Sequence, residues 1–174
     1  MISRAAWFAV GFLTGLIGLG AVAYVFVASG GISMATSAAP LPLERYIAKM
    51  ALHASVANAA DRKDPLPFND ADMVAGAQVY IGNCAGCHGV PGQRKKTTIA
   101  AGMFPDPPQL FDSQEMVTDD PEGVTFWKVT HGIRLSGMPA FENTLSEPVR
   151  WQVTMLVAHA DKTSPAVRAV LAAE

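Results

Sequence analysis

Apolar residues are distributed along this chain in two different ways. Residues 5–28 form 24 consecutive positions without a charge, rich in Val, Leu, Ile, Phe, Gly and Ala. At about 1.5 Å per residue a helix of that length reaches about 36 Å, enough to cross a bilayer with some tilt. Further on the apolar positions become periodic. Residues 43–60 carry Ile47, Met50, Ala51, Ala54 and Ala57 at three- and four-residue steps, which predicts an amphipathic helix. A second helix is capped by Asn69 or Asp70 and lines Met73, Ala77 and Tyr80 on one face as far as about Cys84. A third opens on Asp119-Asp120-Pro121-Glu122, an acidic cap with an early proline, carries Val124, Trp127 and Val129, and stops at Gly132. A fourth begins after Ser146, with Glu147-Pro148 in its first turn, and continues through Trp151, Met155 and Leu156 to about Ala160. Residues 89–118, with Pro91, Pro105, Pro107 and Pro108, show neither helical period nor strand alternation. So long an irregular segment inside a compact domain calls for a reason, and one candidate is a large bound group around which the chain wraps.

The expected fold class is therefore all-α, one helical domain behind one N-terminal transmembrane helix. Residues 30–42, small and polar with two prolines, read as a linker, and residues 61–67 close the spacer. The chain divides into an anchor at 1–29, a linker with a helix at 30–68, a domain at 69–162 and a C-terminal tail at 163–174. A cleaved secretory signal competes with the anchor, because Met1 to Arg4 is a short positive start and Ser37-Ala38-Ala39 offers small residues to a signal peptidase. The apolar run exceeds the roughly 7–15 residues of a signal core, which favours the uncleaved anchor. Arg4 and the amino terminus precede the span while Glu44 and Arg45 cancel after it, so the N-terminus stays inside and the rest is exported. Gly11 and Gly15, followed by Gly18 and Gly20, would let another membrane helix approach closely.

Composition removes some functions. Thirteen Lys and Arg against fifteen Asp and Glu leave a net charge of −2, with no sequence-wide basic field to hold nucleic acid. No paired acid and base, Gly-rich phosphate loop or nucleophile motif suggests catalysis on an organic substrate. The one concentrated basic run is Gln93-Arg94-Lys95-Lys96, read either as a solvated loop or as a surface that steers an acidic partner.

The chemistry concentrates at the two cysteines. They fall at Cys84 and Cys87 with His88 next, the C-x-x-C-H pattern of haem attachment. With so few Cys and His the arrangement is roughly a one-in-3,800 accident. Each residue type is needed for its bond: two thiols form thioethers with the two vinyl groups on one porphyrin edge, and the next residue offers its imidazole to iron. A thioredoxin-like Cys pair would expect a βαβ setting, and a structural zinc site about four ligands where only Cys84, Cys87 and His88 cluster. His53 has no second ligand one turn away and reads as a surface histidine.

Residues 69–162 resemble a class I c-type cytochrome. The likeness rests on a helix running into Cys84-Ala85-Gly86-Cys87-His88-Gly89, a wrapping loop, a middle helix, then Gly132-Ile133-Arg134-Leu135-Ser136-Gly137-Met138-Pro139-Ala140-Phe141 and a closing helix. It is similar in particular to the membrane-attached single-haem cytochromes of bacterial respiratory chains, whose proline-rich loop Gly102-Met103-Phe104-Pro105-Asp106-Pro107-Pro108 resembles. The resemblance implies one haem c held covalently by Cys84 and Cys87, with His88 and Met138 as axial ligands. It also implies that Gly76 lets the first helix cross the last closely, with Tyr80 packed on the crossing against Trp151, Met155 and Leu156. Pro91 occupies a position where the family often uses a carbonyl to orient the proximal imidazole. Among rival sixth ligands, Met155 reads as core, Met116 as loop, His131 and His159 as helix-end residues, and Met103 shares with Met138 a preceding Gly and a nearby Pro. Tyr80, Ile99, Phe104, Leu110, Trp127, Ile133 and Phe141 are candidates to pack around the porphyrin.

With both axial positions filled by protein, the expected role is one-electron transfer and not catalysis. The donor would be a quinol-oxidising complex or periplasmic dehydrogenase and the acceptor an oxidase or other reductase. The domain would lie on the periplasmic face of a bacterial inner membrane. The alternatives are a permanent electron-accepting subunit of a dehydrogenase complex, or a gas-binding haem sensor if the methionine is labile.

Overall fold

The computed structural model describes residues 3–173 and contains no strand among the described residues. Backbone contacts divide the chain into two units, one ending at Ala38 and one starting at Ala39.

The first unit is built on helix α1, Arg4–Ala28, long and apolar enough to cross a membrane. Ser3 caps it by accepting a hydrogen bond from the Ala6 amide at 3.2 Å, and no acidic residue follows in the first turn. Trp7 and Tyr24 stand near its two ends, where amphipathic rings favour a membrane–water interface. A methyl placed on Gly11, Gly15, Gly18 or Gly20 would meet nothing within 4 Å among the described residues of this unit.

The second unit begins with α2, Glu44–Val56, continued by a 3₁₀ turn at Ala57–Ala59. Its Val56 is buried, and Arg45 places its guanidinium 5.1 Å from the centre of the Phe104 ring. The opposite face exposes Leu43, Tyr46, Ile47 and Met50. The core is the crossing of α3, Asp70–Asn83, with α7, Glu147–Ala158. Asn69 caps α3 by accepting from the Asp72 amide at 2.9 Å. Asp72 in turn accepts from the Gln152 side-chain amide at 2.7 Å; that bond first, and the one from Asn69 second, hold its carboxyl below the usual range. At the crossing there is no room for a side chain on Gly76: a methyl there would sit 2.2 Å from the Gln152 carbonyl oxygen. Met73, Ala77 and Tyr80 of α3 face Val153, Met155 and Leu156 of α7 within one buried cluster.

Helix α4, Ala85–His88, is a single turn that follows α3 directly, and α5, Thr98–Ala101, is another single turn inside the segment that sequence periodicity leaves irregular. Helix α6, Glu122–His131, packs on α7 through Phe126 and Trp151, whose rings stack with centroids 3.9 Å apart. Arg62 lies over both rings and pairs with Glu147, joining the segment before the core to the α6–α7 layer.

Two expectations need correcting. The expected cap of α6 is not an acid: Pro121 occupies the N-cap without a side-chain bond, while Asp120 pairs with Lys128 at 2.8 Å. The expected tail contains helix α8, Pro165–Leu171, with Val167 and Leu171 buried in the α3–α7 cluster. Seven residues make about two turns, so the spacing of Val167, Val170 and Leu171 never repeats and no period can be read.

Candidate functional site

The end of α3 and the whole of α4 bring three chemically distinctive side chains onto one turn. The amides of Cys87 and His88 both donate to the Cys84 carbonyl, at 3.0 and 2.9 Å, so Cys84, Cys87 and His88 share a compact local frame. Gly89 then leaves the helix at φ +71°, a conformation that favours glycine. Both cysteines are partly buried, and they are not joined in a disulfide. Burial, reinforced by neighbouring Cys87, pushes the Cys84 thiol up to about 12. Burial also lowers the His88 imidazole from its ordinary value, partly opposed by a hydrogen bond to the Pro108 carbonyl, which favours the neutral ring that a metal ligand requires.

That bond orients the site. His88 Nδ1 lies 2.8 Å from the Pro108 carbonyl oxygen, which only a protonated Nδ1 can satisfy, leaving the Nε2 lone pair free. The carbonyl comes from Pro108 and not from Pro91, the position suggested by sequence. Three further contacts hold the turn: Leu110 N–H donates to the His88 carbonyl at 3.0 Å, the Gln109 side-chain amide to the Cys87 carbonyl at 3.1 Å, and the Thr97 hydroxyl to the Gly86 carbonyl. Tyr80, fully buried, donates its phenol to the Gly89 carbonyl at 2.7 Å and stands edge-on to Phe111. Thr97, Pro108 and Gln109 carried no sequence signal beyond their place in an irregular, proline-rich stretch.

Met138 lies in the loop after α6, partly buried and packed against the same cluster that Cys84 touches. Gly132 turns the chain out of α6 at φ +65°, where a methyl would sit 2.7 Å from the Met138 carbonyl. The loop is closed by Ile133 N–H donating to the Met138 carbonyl at 3.2 Å and Met138 N–H to the Ser136 hydroxyl at 3.2 Å.

The rival ligands have other surroundings. Met155 is 2% exposed within the core. His131 sits against the Trp127 ring and 3.4 Å from the Glu142 carboxylate. His159 has Nδ1 3.0 Å from the Met155 carbonyl and its ring against Phe68. Met103 packs against Gly137, next to Met138. Of the residues expected to pack around a porphyrin, Tyr80 and Leu110 are buried, and Phe104, Trp127, Ile133 and Phe141 are partly so. Ile99 stands 63% exposed, as does the loop residue Leu135 at 87%. A cleft of about 500 Å³ opens beside His88 and includes Arg94, placing the basic run next to the attachment turn. Lys96 is paired with Asp106 at 3.2 Å.

Two thiols one turn apart and an imidazole oriented through Nδ1 form a turn that fits a covalently held haem. Such a turn within an all-helical domain closed by a tight first-to-last helix crossing is that of a class I c-type cytochrome. Residues 71–155 match the family model described as cytochrome C oxidase, cbb3-type, subunit III, a span running from α3 into α7. No curated protein matches the chain. A cytochrome c domain carries electrons on haem and works with redox protein partners, transferring electrons and not transforming a substrate.

Proposed function

We propose that the chain is a membrane-anchored monohaem cytochrome passing single electrons between respiratory-chain or dehydrogenase partners. In this reading Cys84 and Cys87 would hold one haem c covalently, and His88 and Met138 would supply the ligands to its iron. On the same reading the chain divides into an anchor at 1–29, a linker with a helix at 30–68, a cytochrome domain at 69–162 and a C-terminal tail at 163–174, whose helix α8 packs on that domain. The single pass lies in a bacterial inner membrane with the domain on the periplasmic side. The observation that carries the reading is the His88 Nδ1 contact with the Pro108 carbonyl, on the same turn as both thiols.

When bound, the haem supplies a one-electron iron couple. The residues of the chain do the rest. His88 is held by a neutral carbonyl, so its ring keeps one orientation and one tautomer through each transfer. Met138 offers a soft thioether, which raises the potential relative to a second imidazole. With both residues as ligands, water and small molecules would be kept from the metal.

The test is the absorption spectrum of the ferrous protein before and after carbon monoxide, beside a Met138→Ala variant. A closed wild type and a variant that binds the gas are expected. A wild type that binds it readily would favour gas sensing, and a variant that stays closed would move the ligand elsewhere.

The exposed apolar face of α2, Leu43, Tyr46, Ile47 and Met50, favours a second reading as a permanent subunit of a dehydrogenase complex. Purification in detergent without crosslinker separates the two, since only a subunit keeps its dehydrogenase through successive columns.

A further inference from the structure

The segment 97–108 is tied at both ends to the attachment turn. At its start the Thr97 hydroxyl donates to the Gly86 carbonyl, and at its end the Pro108 carbonyl meets His88 Nδ1 at 2.8 Å. Between these points it is braced by Lys96 against Asp106 and by Arg45 of α2 over the Phe104 ring. Its middle, however, belongs to the other loop. The Met103 side chain lies so close over Gly137 that a methyl built there would be 2.1 Å from Met103 Cε and 3.5 Å from Sδ. Gly137 is the residue before Met138, and its φ lies outside the left-handed region; a methyl there would meet only the end of the Met103 side chain, which would have to move aside.

We infer that Met103 is a positioning residue for the Met138 ligand: a strut, anchored on the His88 side, that sets the height of the Met138 loop. The inference rests on the proposed His88 and Met138 ligation. A strap pinned at two points keeps the Met103 side chain in place, so the Met103–Gly137 contact stops the Met138 loop from sagging toward the strap, and truncating Met103 opens space into which that loop can shift. The volume of the Met103 side chain matters in this role and its sulfur does not.

The test is a double-mutant cycle on the full-length haem-loaded protein. Its readouts are the ferric iron–thioether absorption band and the rate of carbon monoxide binding to the ferrous form. Thermal unfolding is followed alongside to separate local from global effects. Met103→Ala should weaken the band and speed gas binding about tenfold or more, the scale typical of groups supporting a ligand. Gly137→Ala should do the same, because its methyl displaces the Met103 side chain. The double variant should recover most of the loss, since the new methyl fills part of the space that Met103 vacates. Met103→Leu should stay close to wild type.

Additive effects in the cycle, or a Met103→Leu variant as open as Met103→Ala, would overturn the strut. So would a Met103→Ala protein unchanged in both readouts while Met138→Ala loses the band, an outcome that leaves the Met138 ligation standing. A band lost in both Met103→Ala and Met103→Leu but kept in Met138→Ala would make Met103 itself the ligand, ending both readings.

Discussion

Tyr80 joins the helix core to the attachment turn through a single atom. Its ring is packed in the α3–α7 cluster and its hydroxyl gives the Gly89 carbonyl a buried partner at 2.7 Å. Burial holds the phenol above its usual range, so it remains a donor at any ordinary pH. Tyr80→Phe keeps the ring and strands that carbonyl, and should cost about 1–2 kcal/mol. The loss would be read as a lower denaturant midpoint with an unchanged slope; an unchanged midpoint would mean that the carbonyl finds another partner. At this scale legibility in the sequence follows from which atoms do the work. Cys84, Cys87 and His88 act through side chains on one turn, so their spacing announces them. The acceptor for His88 is a backbone carbonyl, which every residue has, and nothing in side-chain type separates Pro108 from Pro91.

Among the elements, the crossing of α3 and α7 leaves no room for a side chain at Gly76, just as the packing of α6 on the 3₁₀ turn leaves none at Gly123, where a methyl would sit 2.0 Å from the Ala59 carbonyl oxygen. Gly76 and Gly82 lie on the same helix but in opposite circumstances: a methyl on Gly76 meets the Gln152 carbonyl at 2.2 Å, whereas one on Gly82 meets nothing within 4 Å. Gly76→Ala must push the helices apart or bend one, and should destabilise the domain by about 2–3 kcal/mol. Gly82→Ala should leave packing alone and gain about 0.5–1 kcal/mol from helix propensity. Calorimetry on both variants checks the contrast; equal shifts would mean that the crossing yields more easily than its geometry implies. Periodicity made α3 and α7 readable because each shows a repeated apolar face over several turns. It could not reveal α5 or α8, which are too short for a repeat, and it misread the start of α6, where Lys128 competes successfully for the acid expected at the cap.

On the scale of the whole molecule, the chain combines a helix suited to lipid with a domain of modest charge. Its net charge of −2 gives little long-range attraction, so a basic run beside the attachment turn contributes mainly when a partner is already near. Retaining α1 would supply that nearness, because confinement to a membrane raises the effective concentration of the domain at integral partners without any new contact. Cleavage after the small residues near Ala39 would instead release it. The two fates differ in covalent mass, which makes them separable without a functional assay. Intact mass spectrometry of the haem-bearing polypeptide from membranes washed at alkaline pH should show the apolar segment still attached, and the washed membranes should hold nearly all of the haem signal. A polypeptide that begins near Ala39 and appears in the wash would remove the anchor from the proposal. The CxxCH chemistry would be untouched by that result, since every contact that orients His88 is made within the second unit.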